Sequence, residues 1–175
     1  MKDRKLLNSE LGRMDVQAYR AAEPSGTCLV LDNIRSAYNV GSIFRSADAF
    51  HVDKIVLCGI CAVPPSAEIH KTALGAENVV PWERVADTLA AVEALRAEGY
   101  TIVAVEQTEH SIKIGPGDPA PGAAKFAFVL GNEVDGVQQA VVDACDHAIE
   151  IPQHGTKHSL NVSVAAGIVL FAFSR

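Results

Sequence analysis

Basic residues are in deficit in this chain: 15 Lys and Arg stand against 21 Asp and Glu, for a net charge of −6. Overall charge therefore argues mildly against a nucleic-acid partner, and any such partner must be held by a local basic patch. Cysteine is also sparse, with four in 175 residues. That number excludes a disulfide scaffold, which a chain of this length does not need. The most apolar stretch, Leu160 to Phe173, is shorter than the roughly 20 residues that cross a bilayer and carries Asn161 and Ser163 near its start. The opening MKDRKLLNSELGRMD has scattered charges and no apolar run before a small-residue cleavage site, so it does not read as a secretory signal. A soluble, cytoplasmic protein is expected, with no membrane partner. The phosphate cradle GxxxxGK[ST] is missing, and Gly115, Gly117 and Gly122 are interrupted by prolines and make no GxGxxG between strand and helix. No GxSxG elbow occurs either. Kinase-like ATP use, ordinary dinucleotide binding and serine-hydrolase chemistry lose their usual supports.

What is present suits one globular domain with a sizeable core: 49% of residues are hydrophobic and 21% charged. From Cys28 onward, short apolar runs rich in β-branched residues alternate with segments of helical period, the pattern of an α/β fold with a mostly parallel sheet flanked by helices. Expected strands are Cys28 to Asp32, Lys54 to Cys58, Thr101 to Val105, Phe126 to Leu130 and Ala148 to Ile151. Several are apolar on both faces, as buried parallel strands are. Val85, Leu89, Val92 and Leu95 recur at helical spacing, so a helix is expected over Val85 to Glu98, with Gly99 as its stop. A second is expected over Asn39 to Phe50.

Ser9 to Arg20 reads as an amphipathic helix with Leu11, Met14 and Val16 toward the body, an appendage joined through Pro24, Ser25 and Gly26. Residues 1–24 are thus a helical extension and 25–175 the domain proper. GPGDPAPGA, within Ile114 to Ala123, reads as a mobile loop in place of a crossover helix. The last helix, capped by Ser159, is apolar nearly all the way round, so burial by the core and by a second subunit is expected, making a dimer.

Cys58 and Cys61 have the CxxC spacing of zinc and redox pairs. Zinc needs four ligands, however, and Cys28 and Cys145 stand alone in apolar context, while a thioredoxin-like pair opens a helix. The pair reads as two small residues at a strand end, and no metal is expected.

Three constellations carry possible chemistry. In LVLDNIRSAYNVGSIFRSADAF, Asn39, Gly41 and Arg45 form NxGxxxR where a strand gives way to a helix. A helix start and a guanidinium facing one crevice suit a phosphate or a reacting oxygen. Equally, Asn39 can cap the helix, Gly41 permit close packing and Arg45 be a surface charge. In FVLGNEVDGV, Gly131, Asn132 and Glu133 follow an apolar strand directly, which puts backbone N–H groups and a carboxylate at the sheet edge. The same residues also serve a plain loop, with Glu133 as a helix-start charge. In IEIPQHGTKHSLNVSVAAGIVLF, a polar loop with His154, Lys157 and His158 leads to Ser159, Leu160 and Asn161 at the start of the last helix, where capping is the simpler role.

Taken together and in this order, the three motifs resemble the SpoU or TrmH-like class of the SPOUT superfamily, S-adenosylmethionine-dependent RNA ribose methyltransferases. The resemblance covers Thr27 to Phe173. It implies a C-terminal trefoil knot, against the general rule that chain connections do not thread loops. It also implies a homodimer with S-adenosyl-L-methionine in the knot, and methylation of a ribose 2′-hydroxyl of tRNA or rRNA, tRNA being slightly favoured. Carried over by position, Asn39, Arg45, Glu133, Ser159 and Asn161 are the expected catalytic residues. Backbone around Leu130, Gly131, Asn132, Ile151, Ser159 and Leu160 is expected to hold the cofactor, with Glu106, Gln107 and Thr108 as the other wall. Arg35, Arg45, His70, Lys71, Lys157 and His158, pooled over two subunits, are the expected RNA contacts. The resemblance implies an extra RNA-binding domain in larger relatives; none is expected in this acidic chain, so a prefolded substrate or a helper protein is expected. A non-catalytic RNA-binding protein of the same fold, or an enzyme methylating a base, are the competing expectations.

Overall fold

Strands that are apolar on both faces need cover on both faces, and the chain supplies it by alternating strands with helices. A computed structural model describes residues 3–115 and 125–174. In chain order the elements are α1 (Val16–Ala21), β1 (Thr27–Asp32), α2 (Ala37–Ala49), β2 (Lys54–Cys58), α3 (Ala67–Ala73), β3 (Trp82–Val85), α4 (Thr88–Ala97), β4 (Thr101–Val105), β5 (Ile112–Lys113), β6 (Phe126–Gly131), α5 (Gln139–Ala144), β7 (His147–Glu150) and α6 (Val162–Phe173). The seven strands make one sheet in the order β3-β2-β1-β6-β4-β7-β5, and every pairing is parallel.

The period of two sorts the side chains into two cores. Leu29, Leu31, Phe128 and Leu130 point to one face, where they meet Val40, Ile43 and Phe44 of α2, Ile69 of α3 and Val169 of α6. Cys28, Val30, Ala127 and Val129 point to the other, against Val92 and Leu95 of α4 and Val141 of α5. β1 and β6 are the centre of the sheet, buried along almost their whole length.

Several sequence-based boundaries move. The helix expected from Val85 starts at Thr88, because Val85 ends β3 and Asp87 caps α4 by accepting from the Ala90 N–H. β3 and β5, too short or too polar for the apolar-run criterion, were not anticipated. The last helix is capped by Asn161, not Ser159, and it buries one side only. Val162, Ala166, Val169 and Leu170 are buried, while Val164, Ile168 and Phe171 are exposed. The helix expected over Ser9 to Arg20 is broken: a 3-10 turn at Asn8–Glu10 precedes Gly12 at φ +60, and α1 follows under an Asp15 cap. Leu11, Met14 and Val16 are exposed, and the residue that anchors α1 is Tyr19, buried against the His51 ring at 4.2 Å. Most of the Gly- and Pro-rich segment read as a mobile loop lies outside the described residues. No helix among the described residues is long and apolar enough to cross a membrane.

Where β1 ends, a fully buried carboxylate ties three elements together. Asp32 Oδ1 accepts from Thr88 Oγ1 at 2.6 Å, Gln138 Nε2 at 2.7 Å and Asn33 Nδ2 at 2.9 Å, and its Oδ2 accepts from the Gln138 N–H at 2.9 Å. Every neighbour is a donor, so an amide in its place turns an NH₂ toward another donor. Asp32→Asn is expected to cost about 2–4 kcal/mol and to lower Tm by roughly 5–15 °C in a calorimetric scan; an unchanged Tm would show that the carboxylate holds nothing together.

Candidate active site at the carboxyl edge of the sheet

In a parallel sheet every strand delivers its following loop to the same edge, which is where ligands of open α/β folds bind. Here the loops after β1, β4, β6 and β7 arrive there, and one side chain joins three of them. Ser36 caps α2 by accepting from the Asn39 N–H at 3.3 Å, which sets Asn39 in the first turn. The Asn39 Nδ2 then donates to Glu133 Oε1 at 2.5 Å, across 94 residues of sequence. Its Oδ1 accepts from Asn161 Nδ2 at 3.1 Å, across 122. An ionised carboxylate only accepts, so Glu133 fixes which way the Asn39 amide faces, and that in turn fixes Asn161. The far end is set too, since Asn161 Oδ1 accepts from the Ser163 N–H at 2.9 Å and the Ser163 hydroxyl at 2.6 Å.

The loop after β6 is shaped for close approach. A Cβ on Gly131 would lie 2.0 Å from the Gly136 carbonyl carbon and 2.1 Å from the Val137 nitrogen, so only glycine fits. Asn132 closes the turn on itself, its Oδ1 accepting from the Val134 and Asp135 N–H groups at 2.9 Å each. The β4 loop is stitched to its neighbours: Glu106 Oε2 accepts from the Val137 N–H at 3.0 Å, and Gln107 Nε2 donates to the His158 carbonyl at 2.6 Å. Thr108 bonds to Ser111, whose hydroxyl reaches Glu150 at 2.9 Å.

Asn39, Glu133 and Asn161 are thus brought together, His158 lies on the same loop as Asn161, and Glu106 and Gln107 bond to the β6 and β7 loops from the β4 loop. Other expected residues stand elsewhere. The Leu130 side chain is core, which leaves only its backbone for a ligand. Ile151 is half-buried, and Ser159, Leu160 and Lys157 are exposed on the β7–α6 loop. Arg45 is exposed on α2 and outside the Asn39 network, lining a cleft with Lys71 of α3. Arg35 is exposed in the β1–α2 loop. His70 is spoken for, its Nδ1 lying 2.6 Å from Oε1 of the buried Glu77. Asp32, Ser36 and Ser163 were missed. A lone acid ending an apolar run and a Ser two residues past Asn161 were the available signals.

The CxxC pair lies beneath this edge rather than in it. Cys61 Sγ donates to the Leu31 carbonyl at 3.1 Å and accepts from the Ile34 N–H at 3.0 Å. Burial pushes the Cys58 thiol up to about 12 and that of Cys61 up to about 11. Both are protonated at neutral pH and are poor ligands and nucleophiles. No cluster of three or more metal-binding side chains occurs among the described residues.

Residues 26–171 match the SpoU rRNA Methylase family, and the chain belongs to it. Among its relatives, the 23S rRNA (guanosine-2′-O-)-methyltransferase RlmB of Vibrio parahaemolyticus is 34% identical over 163 residues, which cover 93% of this chain and 64% of RlmB. An AdoMet-bound rRNA methyltransferase from Sinorhizobium meliloti superimposes with a TM-score of 0.77 at 28% identity, over 89% of this chain and 59% of that one. The A. aeolicus TrmH/SpoU tRNA modifying enzyme does so at 0.74 and 26% identity, over 91% and 80%. The chain therefore spans somewhat less than two thirds of the first two proteins.

The Asn39 bridge has a testable pH signature. In Asn39→Asp a second carboxyl faces Glu133, so one member of the pair holds its proton to higher pH in the folded state than when unfolded. Folded protein then binds more protons than unfolded, and stability falls as pH rises. Urea unfolding is expected to show a deficit of about 1 kcal/mol against the parent at pH 8 that shrinks below about pH 5; equal stability at both pH values would remove the contact.

Proposed function

We propose that this chain transfers a methyl group from S-adenosyl-L-methionine to a ribose 2′-hydroxyl of RNA. The observation that carries the reading is the double hydrogen bond of Asn39, which closes the three motifs on one another at the ligand-binding edge of the sheet. Family membership and the RNA ribose methyltransferase named among its relatives support it. That relative acts, by name, on 23S rRNA, so ribosomal RNA precedes tRNA as the substrate to test.

The loops fit an adenosine-bearing cofactor. The exposed polar stretch between β7 and α6 is bracketed by two part-open apolar side chains, Ile151 and Leu160, suited to a purine face. The glycine of β6 lets the Gly136–Val137 backbone fold back tightly against the strand end, and Gln107 ties the β4 loop to this stretch. Backbone of Leu130, Gly131, Asn132, Ile151, Ser159 and Leu160 would hold the cofactor, with Glu106, Gln107 and Thr108 opposite. When bound, it supplies a sulfonium methyl, already a strong electrophile.

The protein's work is alignment and charge. Asn39, Glu133 and Asn161 form a floor that orients the ribose, with Ser159 on the loop that leads to Asn161. The Arg45 guanidinium offers N–H donors and no acceptor. It therefore donates, stabilising charge that develops on the sugar oxygen and pinning a neighbouring phosphate, while the hydroxyl proton leaves to phosphate or water. It lies six residues, about 9 Å, along α2 from Asn39, so it acts on the RNA and not on the Asn39 network. Arg35, Lys157 and His158 are further RNA contacts.

The working form is a homodimer: Val164, Ile168 and Phe171 leave an apolar strip on α6 that a second copy would cover. A trefoil knot at the C-terminus is supported by the sheet order, since β7 lies between β4 and β5, inside the span of the connection from β4 to β6. Residues 1–24 are an extension to the methyltransferase domain at 25–175, and the site of action is the cytoplasm.

Incubation with radiolabelled cofactor and total RNA, followed by nucleoside analysis, tests the reading. Label in a 2′-O-methylnucleoside is expected; label in a base, or none, would overturn it. Arg45→Ala is expected to keep cofactor affinity within about twofold while lowering methyl transfer roughly 10²–10³-fold. Full turnover by this variant would remove Arg45 from the mechanism.

A further inference from the structure

Away from the Asn39 network, α2 and α3 enclose a cleft of about 470 Å³ whose walls carry Arg45, Lys71, Ser42, Ser46 and Thr72, with Phe50 at one end. The two helices meet closely because α2 has a glycine at the crossing. A Cβ on Gly41 would lie 2.1 Å from Thr72 Oγ1 and 2.4 Å from the Ile69 carbonyl oxygen. That contact fixes Lys71 on the wall beside Arg45. The hydroxyls of Ser42 and Thr72 donate to the Tyr38 carbonyl at 2.9 and 3.0 Å, so they brace the wall, and the donors left to a ligand are the two cations and Ser46. Lys71 Nζ rests 5.8 Å from the Tyr38 ring centroid, a contact that leaves its charge unneutralised.

Charge separates this cleft from four other basic positions. Lys54, Arg96, Lys113 and His70 each lie against a carboxylate. Among the described residues neither Arg45 nor Lys71 forms an ion pair, and no carboxylate lines the cleft. In a chain of net charge −6, two unneutralised cations facing one concave space attract an anion. A guanidinium fork beside a mobile ammonium suits a phosphate, the fork giving direction and the ammonium charge.

We infer that the α2–α3 cleft is a subsite for a backbone phosphate of the RNA, in which Lys71 is the second cation beside Arg45. The inference rests on the RNA substrate proposed above and adds Lys71 as a residue that sets RNA affinity while His70, paired with Glu77, does not.

The test is fluorescence anisotropy with labelled fragments of 23S rRNA at a series of KCl concentrations. Lys71→Gln is expected to weaken binding about three- to tenfold and to flatten the plot of log affinity against log salt by about 0.7–0.9, the loss of one phosphate contact. Lys71→Arg is expected to restore most of both. The matched control is Lys125→Gln, because Lys125 lies over the Tyr100 ring at 5.1 Å, away from the cleft, and its removal is expected to change neither. Parent affinity and slope in Lys71→Gln, or an equal loss in Lys125→Gln, would overturn the subsite. Lys71-dependent binding by a protein that transfers no methyl group would leave the subsite standing and sink the enzymatic reading alone. Methyl transfer by a protein indifferent to Lys71 would do the reverse.

Discussion

The carboxamide of Asn39 is where three distant stretches of chain become one site. It donates a hydrogen bond to Glu133 and accepts one from Asn161, and these two partners leave it a single orientation. Neither bond would form without the scaffold beneath. α2 begins at Ser36, so Asn39 stands in its first turn; the glycine ending β6 lets the next loop fold back and present Glu133; Asn161 caps α6 and so cannot drift. Each contact is an ordinary hydrogen bond worth about 1 kcal/mol. Their consequence for chemistry is larger, since a reacting oxygen misplaced by about 1 Å costs on the order of 10²-fold in rate.

The scaffold achieves this with little electrostatic stabilisation at its centre. β1 and β6 are buried among apolar side chains, and the charged group at the carboxyl end of β1, Asp32, is surrounded by donors that tie α4 and the α5 loop to the sheet. The buried Cys58 thiol fills space, and that of Cys61 ties its loop to the end of β1 and to Ile34. The polar, exposed loops after β6 and β7 and the α2–α3 cleft are the surfaces proposed for cofactor and RNA.

Much of this was legible in the amino-acid sequence, for identifiable reasons. β2 and β4 were found to the residue, since a run of aliphatic and β-branched residues bounded by polar ones has few other uses. α2 was nearly so, because its apolar stripe and its polar start are both strong signals. β3 escaped because an edge strand reading WERV has no apolar run, and Val85 was borrowed for the following helix. Leu11, Met14 and Val16 were turned inward because apolar periodicity alone does not reveal that Gly12 breaks the segment. In the site, motif order pointed to Asn39, Glu133 and Asn161, and the sheet delivered them to one edge. Pattern could not show that Arg45 would stand apart with Lys71, since that depends on which face of α2 meets α3. Nor could it show that His70 and Lys71, adjacent in sequence, differ in partners, because Glu77 becomes a neighbour of His70 only after α3 turns.

The most direct test of the account is a double-mutant cycle on Asn39 and Glu133, read as methyl transfer to rRNA. If the Asn39 amide orients the site through Glu133, Asn39→Ala and Glu133→Ala each slow transfer, and the double variant is scarcely slower than the worse single one, a coupling of at least about 1 kcal/mol. Fully additive losses would mean that the two side chains act separately and that the bridge between them organises nothing.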